Sequence, residues 1–466
     1  MYPAQPELQP ELQPELQPER SLESNQALIQ RFLQLASVNI LSNLTVPLAG
    51  LISVAFLGHL GEIQHLAGVT LASVLFNYLY RTLSFLRMGT TGVTAQAVGR
   101  DDRAAVLLVG FRNGLIAIGL GVLILLLQHP IRDLGFALLS AEPAIKAAGQ
   151  AYYDARIWAA PATLLNFVLL GWLLGQEKSG QVLLISAVGN GTNILLDYFL
   201  ITQQGWNSAG AGWAIVASQY LMAGLGLMLA GRLIAWRELQ IALPQLGNAA
   251  ALQQTLRLNG NIFIRTLAFL STFSAFTSLS AAISTLLLTE NALLLQVFSL
   301  AVYLIDGLAF ATESLTGQLY GQGNRQPLWF LVRLAGGISL LVGSSFALVF
   351  VLFPSLFGLL TNHVEVLRLV SQDVWWLLPI LGFGSLAFML DGYFLGLAEG
   401  ATLRNAALLS SLLGFAPIAV LAWNLQAPHL LWLGLAVFMA ARVLLLGTQV
   451  PRTLEPAESG RWVENT

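Results

Sequence analysis

The chain has 466 residues, of which 56% are hydrophobic and only 10% charged, with a mean hydropathy of +0.70. A soluble protein carries roughly 25% charged residues, so this composition excludes a soluble enzyme or binding domain and points to a polytopic membrane protein. The net charge of −2 gives no footprint for nucleic acid, and the absence of cysteine excludes disulfides and thiolate metal sites.

The chain opens on a low-complexity tract in which Pro-Glu-Leu-Gln repeats from Pro6 through Gln17. Proline at every fourth residue blocks a continuous helix, so residues 1–24 are expected to be a disordered tail. The first thirty residues contain no apolar run, and no cleavable signal peptide is expected. Crossing a ~30 Å hydrocarbon core takes about 20 helical residues. Twelve segments meet that length: 27–57, 64–98, 104–128, 143–175, 180–203, 209–235, 258–288, 291–322, 327–353, 366–397, 402–424 and 428–449. The expected fold is therefore all-α, with an N-lobe over 25–236, a cytoplasmic linker over 237–257, a C-lobe over 258–450 and a cytoplasmic tail over 451–466. Arg20, Arg31, Arg100, Arg103, Lys178, Arg232, Arg237, Arg257, Arg325, Arg404, Arg452 and Arg461 fall on one side of this topology, against Arg132, Lys146 and Arg368 on the other. Positive charge collects on the cytoplasmic side, which puts both termini there.

The two halves repeat. Leu165-x-Phe167-x-Leu169-x-Gly171 with Leu174-Gly175 returns as Leu386-x-Phe388-x-Leu390-x-Gly392 with Leu395-Gly396, an offset of 221 residues. Thr94-x-Gln96 with Gly99 returns as Thr316-x-Gln318 with Gly321, an offset of 222. Six helices per repeat is an even number, so the lobes keep one orientation and are related by a pseudo-two-fold along the membrane normal, with a cavity between them. This is the pattern of rocking transporters.

Between Val182 and Ile201 the only acidic or basic side chain is Asp197. Asn190, Asn193 and Asp197 share one helix face. A carboxylate in a lipid-spanning helix costs roughly 2.5 kcal/mol or more unless it faces a wet or polar interior. Asp197 is a functional candidate; the plainer reading is a buried aspartate satisfied by Asn193 and Thr192. In the first span Asn39, Asn43 and Pro47 are spaced by four, and proline within a helix frees a carbonyl and bends the axis. The second half carries Asp306 and Glu313, seven apart on one face, and Asp391, which aligns with Leu170 of the repeat. These are either interior hydrogen-bonding groups or a second coupling site. Arg81, Arg87, Arg112 and Arg156 lie within or near spans, and Arg87, Gln96 and Gln318 are assigned structural or gating roles. The five histidines sit at span ends or loops without metal-ligand spacing, and no nucleotide-binding motif is present. Energy would come from an ion gradient, and the chain is expected not to be an enzyme.

Val46-Pro47-Leu48-Ala49-Gly50-Leu51 with Gly58-His59-Leu60-Gly61, the run Phe85 to Ala97, Asn193-x-x-x-Asp197, Asp306-Gly307-Leu308-Ala309-Phe310-Ala311-x-Glu313, and Leu390-Asp391-Gly392 with Gly396 and Arg404-Asn405 stand in order along the chain. Together they resemble the multidrug and toxic compound extrusion (MATE) family, in its DNA-damage-inducible F (DinF-like) branch. The resemblance implies a twelve-helix, two-lobe antiporter that exports small amphipathic organic compounds in exchange for protons, or less readily sodium. It also implies an N-lobe cation site that pairs a first-helix Asp with the Asn-x-x-x-Asp of the fifth helix. Here Asn193 and Asp197 supply the second part. Ile52-Ser53-Val54 stands where the family has Val-Asp-Thr, so Ser53 replaces the acid. Sodium would bind at Asp197 and Asn193, with Asn190 and Ser53 nearby. No cofactor and no other metal are expected. The expected partners are the substrate, H+ or Na+, and the lipid bilayer, with no nucleic acid; a monomer in the inner membrane is expected. The same scaffold would suit a flippase for lipids or lipid-linked oligosaccharides, or an organic-anion exporter.

Overall fold

The computed structural model describes residues 17–60, 62–139 and 141–455. No strand occurs among them. The first half comprises α1 (Gln17–Gly58), α2 (Ile63–Leu83), α3 (Phe85–Gly99), α4 (Arg103–Leu126), the short α5 (Gln128–Leu138), α6 (Pro143–Arg156), α7 (Ala160–Gly175), α8 (Ser179–Asp197) and α9 (Asn207–Gly231). A short α10 (Trp236–Ala242) precedes the second half, which comprises α11 (Ala249–Ile283), α12 (Thr285–Gly321), α13 (Gln326–Leu352), α14 (Val364–Asp373), α15 (Leu377–Gly396), α16 (Gly400–Leu409), α17 (Ala416–Leu425), α18 (Pro428–Gly447) and the terminal α19 (Val450–Leu454). Single 3-10 turns join α6 to α7 and α14 to α15, and a π turn joins α16 to α17.

Eleven of these helical segments are long and apolar enough to cross a membrane. The remaining expected span, 64–98, falls on α2 and α3, which meet at Ser84. His65, Asn77 and Arg81 dilute the apolarity of α2. In the bundle α2 packs along α6, and α3 along α7.

The sequence-based boundaries shift in three places. Helix α1 starts at Gln17, inside the stretch expected to be tail; residues 1–16 of that tail and 456–466 of the C-terminal one lie outside the described residues. The segment expected as a loop before 258 is largely helical, because Asn248 caps α11 by accepting from the Ala251 N–H at 3.2 Å. The break between the seventh and eighth spans is at Ser284, not near 290. Ser284 takes an extended conformation, and its Oγ accepts from the N–H groups of Leu286 and Leu287 at 3.1 and 3.3 Å.

The repeat read in the sequence is a repeat of contacts. Gly171 and Gly175 of α7 press on the carbonyls of Arg87 and Thr91 of α3. Gly392 and Gly396 of α15 press on those of Ala309 and Glu313 of α12, at the same offsets of 221 and 222. The lobes meet along the pseudo-two-fold, where α3 crosses α12. Gly99 lies against the carbonyl of Gln318, and Gly321 against that of Gln96. Gln96 Nε2 donates to the Gly396 carbonyl at 2.9 Å, and Gln318 Nε2 to the Gly175 carbonyl at 3.3 Å. Helix α1 lies between the lobes, packed on α8 and α12. In its N-terminal half Arg31 holds Glu177 with bonds of 2.6 and 2.5 Å and also donates to Gln318 Oε1. These ties gather at the membrane end that carries the inter-lobe segment.

A side chain on Gly99 has nowhere to go, since its Cβ would overlap the Gln318 backbone. Gly99→Val is expected to destabilise the protein by about 1–3 kcal/mol through overpacking, read as a lower thermal midpoint in detergent. Gly119→Val, where nothing lies within 4 Å, should leave the midpoint unchanged or raise it.

Candidate functional site

Asp197 is the last residue of α8, where the helix widens into a π turn over Tyr198–Gln203. Such π turns recur at functional positions because they re-aim the side chains around them. Asp197 is 1% exposed. Its Oδ2 accepts from Ser53 of α1, while Oδ1 is buried without a hydrogen-bond partner. Ser53 Oγ also lies 3.1 Å from the Ala49 carbonyl, and its single proton serves one acceptor at a time. One shared hydroxyl is thin compensation for a buried carboxylate.

The rest of the α1–α8 seam is polar as well. Asn190 Nδ2 donates to Thr45 Oγ1 at 2.7 Å, and Ser42 to Ser186 at 3.0 Å. Asn193 Nδ2 is buried with no partner. Helical spacing places Asn190, Asn193 and Asp197 on one face. The other two α1 candidates lie elsewhere. Asn43 turns away from α8 and donates to the Tyr303 carbonyl of α12 at 3.2 Å, tying the lobes together. Pro47 leaves α1 continuous, with helix on both sides.

The three C-lobe acids do not form one site. Asp391 is gripped by Arg265 of α11 and Arg442 of α18, an ion triad in which each residue is at most 7% exposed. The Arg442 guanidinium also sits 5.4–5.6 Å from the rings of Phe269, Phe388 and Phe438, so both charge and π faces hold it. Asp306 and Glu313, on α12, face Arg87 of α3 from across the lobe boundary. Arg87 lies 3.7 Å above the Phe310 ring; its Nη1 and Glu313 Oε1 are buried without hydrogen-bond partners. Arg87 is thus an inter-lobe contact rather than a side chain reaching for the membrane surface.

The sequence reading missed Arg265 and Arg442. The signal was there, since Arg442 is the lone arginine of α18 and Arg265 stands in the apolar part of α11, and such a charge needs a partner. It also missed Asn113 and Asn259, which bond across the lobes at 3.0 Å. An open apolar groove of about 850 Å³ lies between α11 and the α16–α17 pair, lined by Thr272, Ser411, Phe415 and Trp423 among others. Its lining comes from the C-lobe and does not include Asp197. Among the described residues no group of three acidic or histidine side chains is arranged to hold a metal ion.

A family profile, MatE, matches residues 39–199 and again 262–420, once in each half. The chain belongs to the MatE family. A relative in the same family, the DNA damage-inducible protein F of Escherichia coli (strain K12), is 34% identical over 416 residues, covering 88% of this chain and 90% of the relative. A probable multidrug resistance protein, NorM, of Rhizobium meliloti (strain 1021) is 28% identical over 86% of this chain and 88% of its own length. Among solved structures, a MOP superfamily transporter from Pyrococcus furiosus superposes with a TM-score of 0.82 at 20% identity, covering 92% of this chain and 97% of that one. An outward-facing multidrug resistance MATE family transporter gives the same TM-score at 21% identity over 91% and 96%. The two-lobe fold read from the repeat is the fold of this MATE protein, a multi-pass membrane transporter of a family whose named members include multidrug resistance proteins.

Proposed function

We propose that the protein is a secondary antiporter that exports amphipathic organic compounds in exchange for protons, with Asp197 as the coupling group of the N-lobe. The observation that carries this reading is a buried carboxylate at the α8 π turn, held by one shared hydroxyl and with one oxygen unpartnered. A proton arriving at Oδ1 neutralises the buried charge and removes its desolvation penalty. It also frees Ser53 to bond the Ala49 carbonyl, which loosens α1 from α8. With the lobes locked at the linker end, this arrangement corresponds to the state open at the opposite end. Protonation then favours repacking of α1 near Pro47, substrate leaves, and the lobes return. Asn193 and Asn190 provide polar partners along the path; they are also the ligands sodium would use with Ser53.

On this reading the lobes are residues 25–236 and 258–450, the termini and the 237–257 linker are cytoplasmic, and a monomer in the inner membrane does the work. A second reading has one specific observation in its favour: the unpartnered guanidinium nitrogen of Arg87 at the lobe boundary would suit an anionic substrate or a lipid headgroup. The test is efflux of a fluorescent cationic dye from liposomes under an imposed proton gradient, then under a sodium gradient. Proton-driven efflux supports the reading. Sodium-driven efflux replaces the ion. No dye movement with either gradient, in protein that remains folded, rejects cationic substrates in favour of anions or lipids.

A further inference from the structure

A second acidic pair lies in the C-lobe, well away from both clusters described above. Glu290 near the start of α12 is 1% exposed, and Asp373 at the end of α14 is 5% exposed. Helix α12 runs parallel to α14–α15, with Ala309 opposite Gly392 and Glu313 opposite Gly396. The same register sets Glu290 beside Asp373, within hydrogen-bonding reach of it. Two carboxyls bond to each other only when a proton sits between them, because neither carboxylate has a donor of its own. The other Glu290 oxygen, Oε1, is buried with no partner.

The pair has an outlet. His429, at the start of α18, places Nδ1 3.0 Å from Asp373 Oδ1, and its side chain is 68% exposed. Among the described residues no other charged group faces the pair. Glu365 and Arg368 of α14 are exposed, and α11 and α18 contribute only neutral groups beside it: Ser280, which accepts from Asn291 at 2.8 Å, and Trp432, which donates to Asn291 at 2.9 Å. Asp391 and Arg442 lie further along α15 and α18 and are occupied with each other. The repeat shows that the fold does not need acids here. At the offsets of 222 and 221 the N-lobe has Gly68 for Glu290, Tyr152 for Asp373 and Ser208 for His429.

We propose that Glu290 and Asp373 form a proton-binding site at the Ser284 end of the C-lobe, with His429 as its exchange group to water. In the loading step, hydronium gives a proton to His429 Nε2, and Nδ1 passes its own proton to Asp373 Oδ1. The imidazole stays neutral overall, one water is released, and the new carboxylic acid donates to Glu290. That end faces away from the inter-lobe segment, so on the proposed orientation it opens to the outside. Only the consequence for transport rests on the antiport reading; proton occupancy does not.

The test is infrared difference spectroscopy of the full-length protein in lipid bilayers on stepping the pH. Wild type should show a carboxylic-acid C=O band that disappears in Glu290→Gln and in Asp373→Asn and survives in Asp197→Asn. His429→Ala should keep the band and slow its appearance after a pH jump. Two isosteric variants guard against one failing to fold, and a cooperative thermal transition checks each. A spectrum unchanged by both acid substitutions overturns the proposal. So does a band that sodium removes at constant pH, which would make the pair a metal-cation site. Wild-type liposomes that ignore a proton gradient would reject the antiport reading while leaving the band, and with it this site, standing.

Discussion

Asp197→Asn is expected to bind substrate only at the weak affinity of proton-loaded wild type, and to lose the dependence of that binding on pH. The amide has the shape of the protonated acid, so it fixes the protein in the proton-loaded form. Coupling free energies between two ligands run at about 1–3 kcal/mol, roughly 5- to 150-fold in affinity. The variant should therefore show dye affinity flat across the pH range in which wild type changes by such a factor, and gradient-driven efflux reduced in proportion. Ser53→Ala should push in the same direction without locking the site. It removes the one hydroxyl bonded to Asp197 Oδ2 and leaves the carboxylate uncompensated, so proton loading should begin at higher pH. Dye titrations at a series of pH values check both. A wild-type pH profile in Asp197→Asn would remove the N-lobe from the mechanism.

Breaking the Asp391 triad should have the largest effect on stability. Asp391→Ala leaves Arg265 and Arg442 buried side by side with no anion between them. Removing one partner of a buried pair costs about 3–5 kcal/mol, because it strands the remaining charge. Arg442→Leu should cost less, since Asp391 keeps Arg265 and the leucine fills part of the space among Phe269, Phe388 and Phe438. Thermal unfolding in detergent separates these outcomes. If Asp391→Ala melts with wild type, the triad is not a structural anchor and Asp391 returns to the pool of coupling acids.

Architecture was legible in the sequence because it rests on length and repetition. Spans announce themselves by apolar runs, and the Gly171/Gly392 and Gly99/Gly321 correspondences mark places where backbones must touch. Boundaries were less legible. Ser284 and Asn248 start helices through side-chain caps, and a cap is a matter of one residue, which hydropathy averages away. The Asp197 face was readable because helical spacing alone puts Asn190 and Asn193 on it. The partner of that acid was readable only through the family resemblance, which set Ser53 against it. Asn43 was misplaced because spacing fixes a face relative to neighbours on the same helix, not which other helix that face meets. The Arg265–Asp391–Arg442 triad and the Glu290–Asp373 pair each join three or two helices far apart in sequence, and without the register of α12 against α14–α15 nothing links their members.

The most direct measurement is proton release on dye binding in weakly buffered detergent solution. Binding of a cationic dye to the deprotonated form should hold Asp197 ionised, so wild type should release protons when dye is added near neutral pH, and Asp197→Asn should bind dye and release fewer. Dye binding with no proton release from wild type at any pH, or release undiminished in Asp197→Asn, would contradict proton coupling through Asp197.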